Sequence, residues 1–130
     1  MAALPAWNLL KGKTAAVTGG TTGIGRSIVL EFIRQGCNVA VNHLGLPKDE
    51  VHRHSLLQEV EALGKQGINA GKVLEIPGNV TSPETSKTLI HEAVGQWGQL
   101  DIFVANAGVF KQAELLQYVR TFTKRTGNWH

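Results

Sequence analysis

The sequence predicts an α/β fold, a doubly wound parallel sheet with helices on both faces. Four short apolar runs, at residues 13–18, 38–42, 73–76 and 100–105, are separated by segments whose apolar residues recur at helical spacing. Each run leads into a turn that contains glycine, as expected where a strand ends. Alternation of strand and helix favours right-handed crossovers between parallel strands. We therefore predict about four strands, in the spatial order 3-2-1-4.

The helical segments can be placed by their apolar spacing and end signals. The first follows the glycines after residue 18, and its apolar positions are Ile24, Ile28, Val29, Phe32 and Ile33. Gly36 comes after the last of them, as expected for a left-handed C-terminal cap. The second helix is predicted over residues 48–66, with an apolar face of Val51 or His52, Leu56, Val60 and Leu63.

The third helix has the clearest start. Ser82 is the expected N-cap and Pro83 the first helical residue, where the missing proline N–H costs nothing. The helix should end near Gly98, and its buried face is predicted to carry Ile90, Ala93, Val94 and Trp97.

Composition narrows the class of protein. The chain has 130 residues, of which 42% are hydrophobic and 18% charged, so one packed domain is expected and disorder is not. Its 15 glycines show no three-residue period, which excludes collagen, and one cysteine, Cys37, excludes a disulfide framework or a thiolate zinc cluster. No apolar run reaches the length of a membrane span, and residues 1–10 do not resemble a signal peptide. We expect a cytoplasmic protein without a membrane partner.

The positive charge lies at one end of the chain. The net charge is +3, yet positive and negative side chains balance over residues 1–110. Residues 111–130 carry the excess, and their pattern shows no clear element beyond a candidate helix at 113–119. We predict a domain at 1–110 followed by a basic tail at 111–130. Four cations are a weak basis for nucleic-acid binding, so no nucleic-acid partner is expected.

A glycine-rich turn lies between the first strand and the first helix. It reads Thr18-Gly19-Gly20-Thr21-Thr22-Gly23-Ile24-Gly25. Glycine at 19 allows a tight turn, at 23 a close approach of the backbone to a pyrophosphate, and at 25 close packing of helix on strand. The N–H groups and dipole of the helix attract the anion. This position predicts a dinucleotide-binding turn.

The spacing of these glycines, with a preceding threonine, resembles the short-chain dehydrogenase/reductase family. Asn79-Val80 after the third strand, Leu100-Asp101 before the fourth and Asn106-Ala107-Gly108 after it resemble further motifs of that family. Within the family, the segments at 41–44, 76–78 and 104–109 are similar to fungal sugar dehydrogenases. The resemblance covers about residues 9–112. It implies a Rossmann fold, truncated here to about four strands, and an oxidoreductase that uses NAD(P).

The resemblance also implies the cofactor-binding residues. They are Gly19, Thr21, Gly23, Ile24, Gly25, Asn42, His43, Asn79, Val80, Asn106, Ala107 and Gly108. The family usually has Asp where this chain has Asn79, and Asn where it has Ala105. An acidic residue at the end of the second strand selects NAD in the family, and Asn42, His43 and Leu44 offer none, nor an Arg or Lys to bind the 2'-phosphate of NADP. We therefore favour NADP over NAD.

The family's catalytic residues have no counterpart in this chain. They are a Ser, a Tyr and a Lys four residues after the Tyr, whereas Tyr118 is followed four residues later by Phe122. We assign no catalytic residue. We assign no metal ligand either, because His52 and His54 diverge by about 200° on a helix and cannot share one ion.

Two hypotheses about function stay open. In the first, the chain is the nucleotide-binding part of an oxidoreductase acting on a hydroxyl or carbonyl of a sugar or polyol, with the substrate bound only by a full-length form. In the second, it is an inactive cofactor-binding fragment, or a misspliced or frameshifted product. Either way we expect the family's homo-oligomer interface to be lost. A basic-tailed module that binds nucleic acid or protein is a third hypothesis.

Overall fold

Four parallel strands form the centre of the structure, a computed structural model that describes residues 8–66 and 70–107. The strands are β1 (Thr14–Val17), β2 (Asn38–His43), β3 (Val73–Pro77) and β4 (Ile102–Val104). Their spatial order is β3-β2-β1-β4, and every pair is parallel, which confirms the predicted order. The strands are short and begin or end within two residues of the predicted runs.

Three α-helices connect the strands. They are α1 (Gly23–Arg34), α2 (Glu50–Lys65) and α3 (Pro83–Trp97), and a short 3-10 turn, Pro47–Asp49, precedes α2. Gly36 after α1 and Gly98 after α3 have φ values of +89° and +81°, which confirms both predicted glycine ends. Ser82 is the N-cap of α3, as predicted, although its side chain makes no capping hydrogen bond.

Successive residues of β1 face opposite sides of the sheet, so a hydrophobic core forms on each side. Helices α1 and α2 cover one side, where the buried residues are Ala15, Val17, Val29, Ile33, Cys37, Val39, Val41 and Leu56. Helix α3 covers the other, where they are Ala16, Ala40, Ile76, Leu89 and Ala93, with Trp97 partly buried against them. Helices on both faces confirm the doubly wound architecture.

Two of the apolar residues at helical spacing lie outside the core. Ile24 is 75% exposed and Val51 is 73% exposed, and His52, the alternative to Val51, is exposed as well. Both helices begin after the carboxyl end of a strand, and their first two residues are exposed, whereas Gly25 in the first turn of α1 is buried. In α2 burial is complete only at Leu56, more than a turn later.

Several predictions lie outside the described residues. They concern Gly108, the helix at 113–119 and the whole basic tail. Among the helices that the structure describes, none is both long and apolar enough to cross a membrane.

Candidate functional site

Parallel strands bring their carboxyl ends to one edge of the sheet, and the predicted site residues follow those ends. The N–H of Gly20 donates to the carbonyl oxygen of Asn42 at 3.1 Å, and that of Gly78 donates to the carbonyl oxygen of His43 at 2.8 Å. The N–H of Thr18 donates to the carbonyl oxygen of Val104 at 3.1 Å. These bonds join the ends of all four strands into one edge, where open α/β sheets bind ligands.

The turn between β1 and α1 requires glycine at several positions. Gly19 and Gly23 have φ values of +61° and +57°, a backbone region that strains any residue with a side chain. A Cβ atom on Gly25 would overlap the carbonyl oxygen of Gly19, and one on Gly20 would lie 2.7 Å from Cγ1 of Val41. Gly20 was not among the predicted site residues, although its place beside Gly19 was a signal for it.

The amino end of α1 opens toward this edge. Its N-cap, Thr22, is exposed and makes no side-chain capping hydrogen bond. The first N–H groups of a helix have no partner within the helix, and the helix dipole adds partial positive charge there. A Cβ atom built on Gly23 meets no atom of the described chain within 4 Å, so the space in front of it is open. Open space, glycine backbone and unpaired N–H groups fit a phosphate or pyrophosphate.

Thr18 links the glycine turn to the segment after β4. Its hydroxyl oxygen accepts the N–H of Asn106 at 2.9 Å and that of Ala107 at 3.1 Å, and its O–H donates to the carbonyl oxygen of Val104 at 3.4 Å. The Asn106 side chain donates to the carbonyl oxygen of Gly19 at 3.2 Å. Thr18 was not among the predicted site residues, and the threonine before the glycines was the signal for it.

Asn42 lies at the end of β2 with its side chain turned inward. The residue is 2% exposed, and its amide contacts the glycine turn on one side and the end of β3 on the other. The prediction placed it among the cofactor contacts. In the structure its polar atoms are used by the protein backbone.

His43 follows Asn42 and is also buried. Its Nδ1 atom accepts the N–H of Gly45 at 3.0 Å, so the neutral ring carries its proton on Nε2. Burial lowers the pKa of His43, and the positive charge of Arg53 lowers it further against three nearby carboxylates. The imidazole is therefore neutral at pH 7.

The remaining predicted residues divide into buried and exposed ones. Thr21 is buried, whereas Ile24 is exposed beside the glycine turn. Asn79 is exposed, and its Oδ1 atom accepts the N–H and the O–H of Thr81 at 2.9 and 2.7 Å. Val80 follows it in the same turn.

The structure thus brings some predicted residues into contact and leaves others apart. Gly19 contacts both Asn42 and Asn106 directly, and a Cβ on it would lie 3.3 Å from Ala107. The turn that contains Asn79 and Val80 is joined to the glycine turn through Asn42, which accepts the N–H of Gly19 and donates to the carbonyl oxygen of Gly78. Within the described ranges, no three His, Cys, Asp or Glu side chains lie close enough together to hold a metal ion.

The chain matches the family model for the short chain dehydrogenases over residues 13–126. This range includes much of the basic tail, and the division at residue 110 stays a prediction. Three curated relatives are also similar to the chain. The chain is 43% identical to an L-rhamnose-1-dehydrogenase of Scheffersomyces stipitis, covering 84% of the chain and 40% of the relative.

The other two relatives are bacterial. An L-rhamnose 1-dehydrogenase (NAD(P)(+)) of a Sphingomonas species is 36% identical over 78% of the chain and 36% of the relative. A 3-oxoacyl-[acyl-carrier-protein] reductase of Staphylococcus epidermidis is 38% identical over 81% of the chain and 39% of the relative. The chain therefore spans about two fifths of the length of these relatives.

A solved structure agrees with the sequence matches. A short-chain type dehydrogenase/reductase from Mycobacterium marinum superposes with a TM-score of 0.64 at 30% identity, covering 82% of this chain and 40% of that one.

Proposed function

The chain belongs to the short-chain dehydrogenase/reductase family, and from this membership we propose that its carboxyl edge binds NAD(P), with the pyrophosphate at the turn formed by residues 18–25. The observation that carries the proposal is the backbone geometry of this turn. Gly19 and Gly23 have left-handed backbone, Gly25 packs against Gly19, and the amino end of α1 is open in front of Gly23. An anion there would meet backbone N–H groups and the positive end of the helix dipole.

The remaining contacts of the cofactor follow the same edge. We assign its adenosine half to the ends of β2 and β3, at His43, Asn79 and Val80, and its nicotinamide half to the side of Asn106, Ala107 and Gly108. The exposed side chain of Ile24, at the start of α1, would lie between the two halves. The support is the resemblance of these residues to family motifs, together with their placement after adjacent strands.

For the activity of the whole protein, we propose oxidoreduction at a hydroxyl or carbonyl group of a sugar or polyol. Two of the similar proteins are named for L-rhamnose oxidation, which supports a sugar. The third is named as a 3-oxoacyl reductase, so a carbonyl substrate of another class is the alternative. NAD(P) supplies the hydride acceptor or donor of such a reaction.

We propose NADP as the preferred cofactor. A 2'-phosphate adds negative charge, which a carboxylate at the end of β2 would repel, and residues 42–44 contain none. The three carboxylates that act on His43 have local partners, because Glu50 and Glu75 pair with Arg53 and Asp49 accepts the N–H of Leu46.

A second candidate function is cofactor binding without turnover. It is favoured by one sequence observation, since the only tyrosine, Tyr118, has Phe122 and not Lys four residues after it. In this reading the chain keeps the nucleotide site and lacks the residues that transfer the substrate proton.

The binding site is tested by replacing Gly23 with alanine and measuring nucleotide affinity by calorimetry. The parent chain should bind NADPH more tightly than NADH. Gly23→Ala should weaken NADPH binding roughly 10-fold or more, because its methyl group would occupy the open space in front of the turn. The strain of alanine at positive φ should also cost about 1–2 kcal/mol of unfolding free energy.

Gly12 provides a matched control for that strain. It too has positive φ, +80°, and no described atom within 4 Å of its Cβ position, but it precedes β1 and lies at the opposite edge of the sheet. Gly12→Ala should lower stability to a similar degree and leave the affinity unchanged. Equal NADPH affinity in the parent and in Gly23→Ala, or no binding by a folded parent, would remove this site from consideration.

A further inference from the structure

We propose that Asn42 is a positioning residue for nucleotide binding, and that its buried amide holds the turn after β1 and the turn after β3 in their binding geometry. The inference rests on the proposed function, because it assumes that both turns contact the nucleotide. It reassigns Asn42 from a ligand contact to a residue that acts through Gly19 and Gly78.

The amide of Asn42 contacts the ends of two strands, β1 and β3. Its Oδ1 atom accepts the N–H of Gly19 at 3.4 Å, in the turn after β1. Its Nδ2 atom donates to the carbonyl oxygen of Ile76 at 3.2 Å and to that of Gly78 at 3.0 Å, at the end of β3. The backbone carbonyl of the same residue accepts the N–H of Gly20 at 3.1 Å. One buried residue therefore bonds both turns that flank β2.

These bonds require both halves of an amide. The side toward Gly19 needs an acceptor, and the side toward Ile76 and Gly78 needs a donor of two hydrogens. Aspartate would keep the acceptor and turn a negative oxygen toward two carbonyl oxygens. Alanine would leave the N–H of Gly19 and the two carbonyl groups without this partner. Asparagine is thus specified by the backbone that surrounds it.

The bonds also determine which N–H groups of the glycine turn can bind an anion. The N–H of Gly19 is taken by the side chain of Asn42 and the N–H of Gly20 by its carbonyl oxygen. The N–H groups that remain for an anion begin beyond Gly20, at the start of α1, where the helix dipole acts. Asn42 therefore fixes which part of the turn faces the ligand.

Positioning of this kind has a measurable effect on affinity. The apparent dissociation constant rises in inverse proportion to the fraction of molecules in the binding geometry. If loss of the amide reduces that fraction to about one tenth, the nucleotide binds about tenfold more weakly although no contact with it has been removed. Asn42 would then control the affinity for the nucleotide without contacting it.

The experiment compares Asn42→Ala and Asn42→Asp with the control Asn38→Ala in the full chain. Asn38 begins the same strand, and its Oδ1 atom accepts the N–H of Lys72 at 2.9 Å, so it also joins β2 to the chain that enters β3, but at the opposite edge. For each variant we measure the NADPH dissociation constant, the urea unfolding transition and the exchange rate of the Gly19 amide. Asn42→Ala should raise the dissociation constant roughly 10-fold or more and accelerate exchange at Gly19. Asn38→Ala should change stability alone.

Asn42→Asp gives a second readout that a purely structural role would not produce. A buried aspartate beside two carbonyl oxygens has a raised pKa, and its protonated form regains an O–H donor. NADPH binding by this variant should therefore recover as the pH is lowered from 7.5 to 5.5. The parent is measured over the same range, because the adjacent His43 and the nearby pair of Arg53 and Glu75 are ionisable.

Each outcome decides between the hypotheses. If the parent binds neither NADPH nor NADH, the proposed function fails and this inference fails with it. If the parent binds but folded Asn42→Ala has the parent's affinity, or Asn38→Ala loses as much affinity as Asn42→Ala, the inference alone is wrong. If Asn42→Ala does not fold, recovery of Asn42→Asp at low pH supports the inference and a flat profile overturns it.

Discussion

At the scale of a single residue, Thr18 joins the glycine turn of the candidate site to the segment after β4. Its hydroxyl accepts two backbone N–H groups from the segment after β4, and the residue is 1% exposed. Water cannot easily take the place of a hydroxyl at such a depth, so removing it leaves two partly buried N–H donors without this partner.

We therefore expect Thr18→Val to lower the free energy of unfolding by about 1–3 kcal/mol. Valine has a similar shape, so the loss measures the hydroxyl and not the volume. Thr18→Ser keeps the hydroxyl and should lose clearly less. Urea unfolding followed by circular dichroism measures both, and equal losses in the two variants would contradict the assigned role.

His43 makes stability depend on pH. Its pKa is lowered from the ordinary value of 6.5, mainly by burial, so the unfolded chain takes up a proton at a pH where the folded chain does not. The contribution of His43 is thus fully present above pH 6.5 and is lost as the pH falls from there toward the lowered pKa.

The expected result is a free energy of unfolding that decreases between pH 7 and pH 5. Replacing His43 with Asn, which can still accept the N–H of Gly45, should make this decrease shallower. Urea titrations at half-unit pH intervals would show it. Parallel slopes in the parent and the variant would mean that His43 takes up its proton equally in both states.

Sequence reasoning had uneven success with such residues. The roles of Gly19 and Gly25 follow from the need for a sharp turn and close packing, which the glycine spacing already expresses. The inward turn of Asn42 could not be predicted, because it depends on the register in which Asn42 lies beside Ile76. The apolar pattern of a strand buried on both faces does not specify that register.

At the scale of elements, Arg26 joins α1 to α2. Its guanidinium donates to the carbonyl oxygens of Thr21 and His52 at 3.4 and 3.2 Å, to Ser55 at 2.8 Å, and to the carboxylate of Glu59. The fork shape of arginine allows these bonds to run in several directions at once. The contact connects the glycine turn to the helix that follows β2.

Arg26→Ala should therefore lower the free energy of unfolding by roughly 1–2 kcal/mol and loosen α2 against α1. Arg34 is the control on the same helix, because its only described ion pair is with Glu31 one turn away. Arg34→Ala should change stability far less. Hydrogen exchange over residues 50–65 reports the contact between the helices, and equal effects of the two substitutions would exclude it.

The ends of the helices were predicted better than their buried faces. Gly36 and Gly98 end helices because their left-handed backbone is easy only for glycine, a local property that the sequence shows directly. The exposure of Val51 was missed because helical spacing identifies a face without showing how far the sheet extends beneath it. Leu89 of α3 is also buried and was not predicted, although it lies four residues before Ala93 on the same face.

At the scale of the whole molecule, the prediction concerns turnover. The chain holds the residues that we assign to nucleotide binding, but no tyrosine with a lysine four residues later. General acid–base catalysis contributes about 10²- to 10⁴-fold to a rate, so its loss should leave no detectable activity. We expect calorimetry to show NADPH binding, while absorbance at 340 nm shows no reduction of added NAD(P)⁺ by L-rhamnose. Activity that scales with the concentration of the purified chain would contradict this.

The fold as a whole was the most predictable level, since alternation of strand and helix leaves few arrangements of a parallel sheet.

The pairing of the strands indicates the order in which the sheet assembles. β1 pairs with β2 across a short stretch of chain, Thr14 with Asn38, whereas its other neighbour is distant, Ala15 with Ile102. Closing the longer loop costs more entropy and is slower. Docking of β4 should thus come late in folding, and with it the bonds of Thr18 to Asn106 and Ala107. The proposed nucleotide site would be among the last parts to form, so a bound cofactor would select chains whose folding is complete.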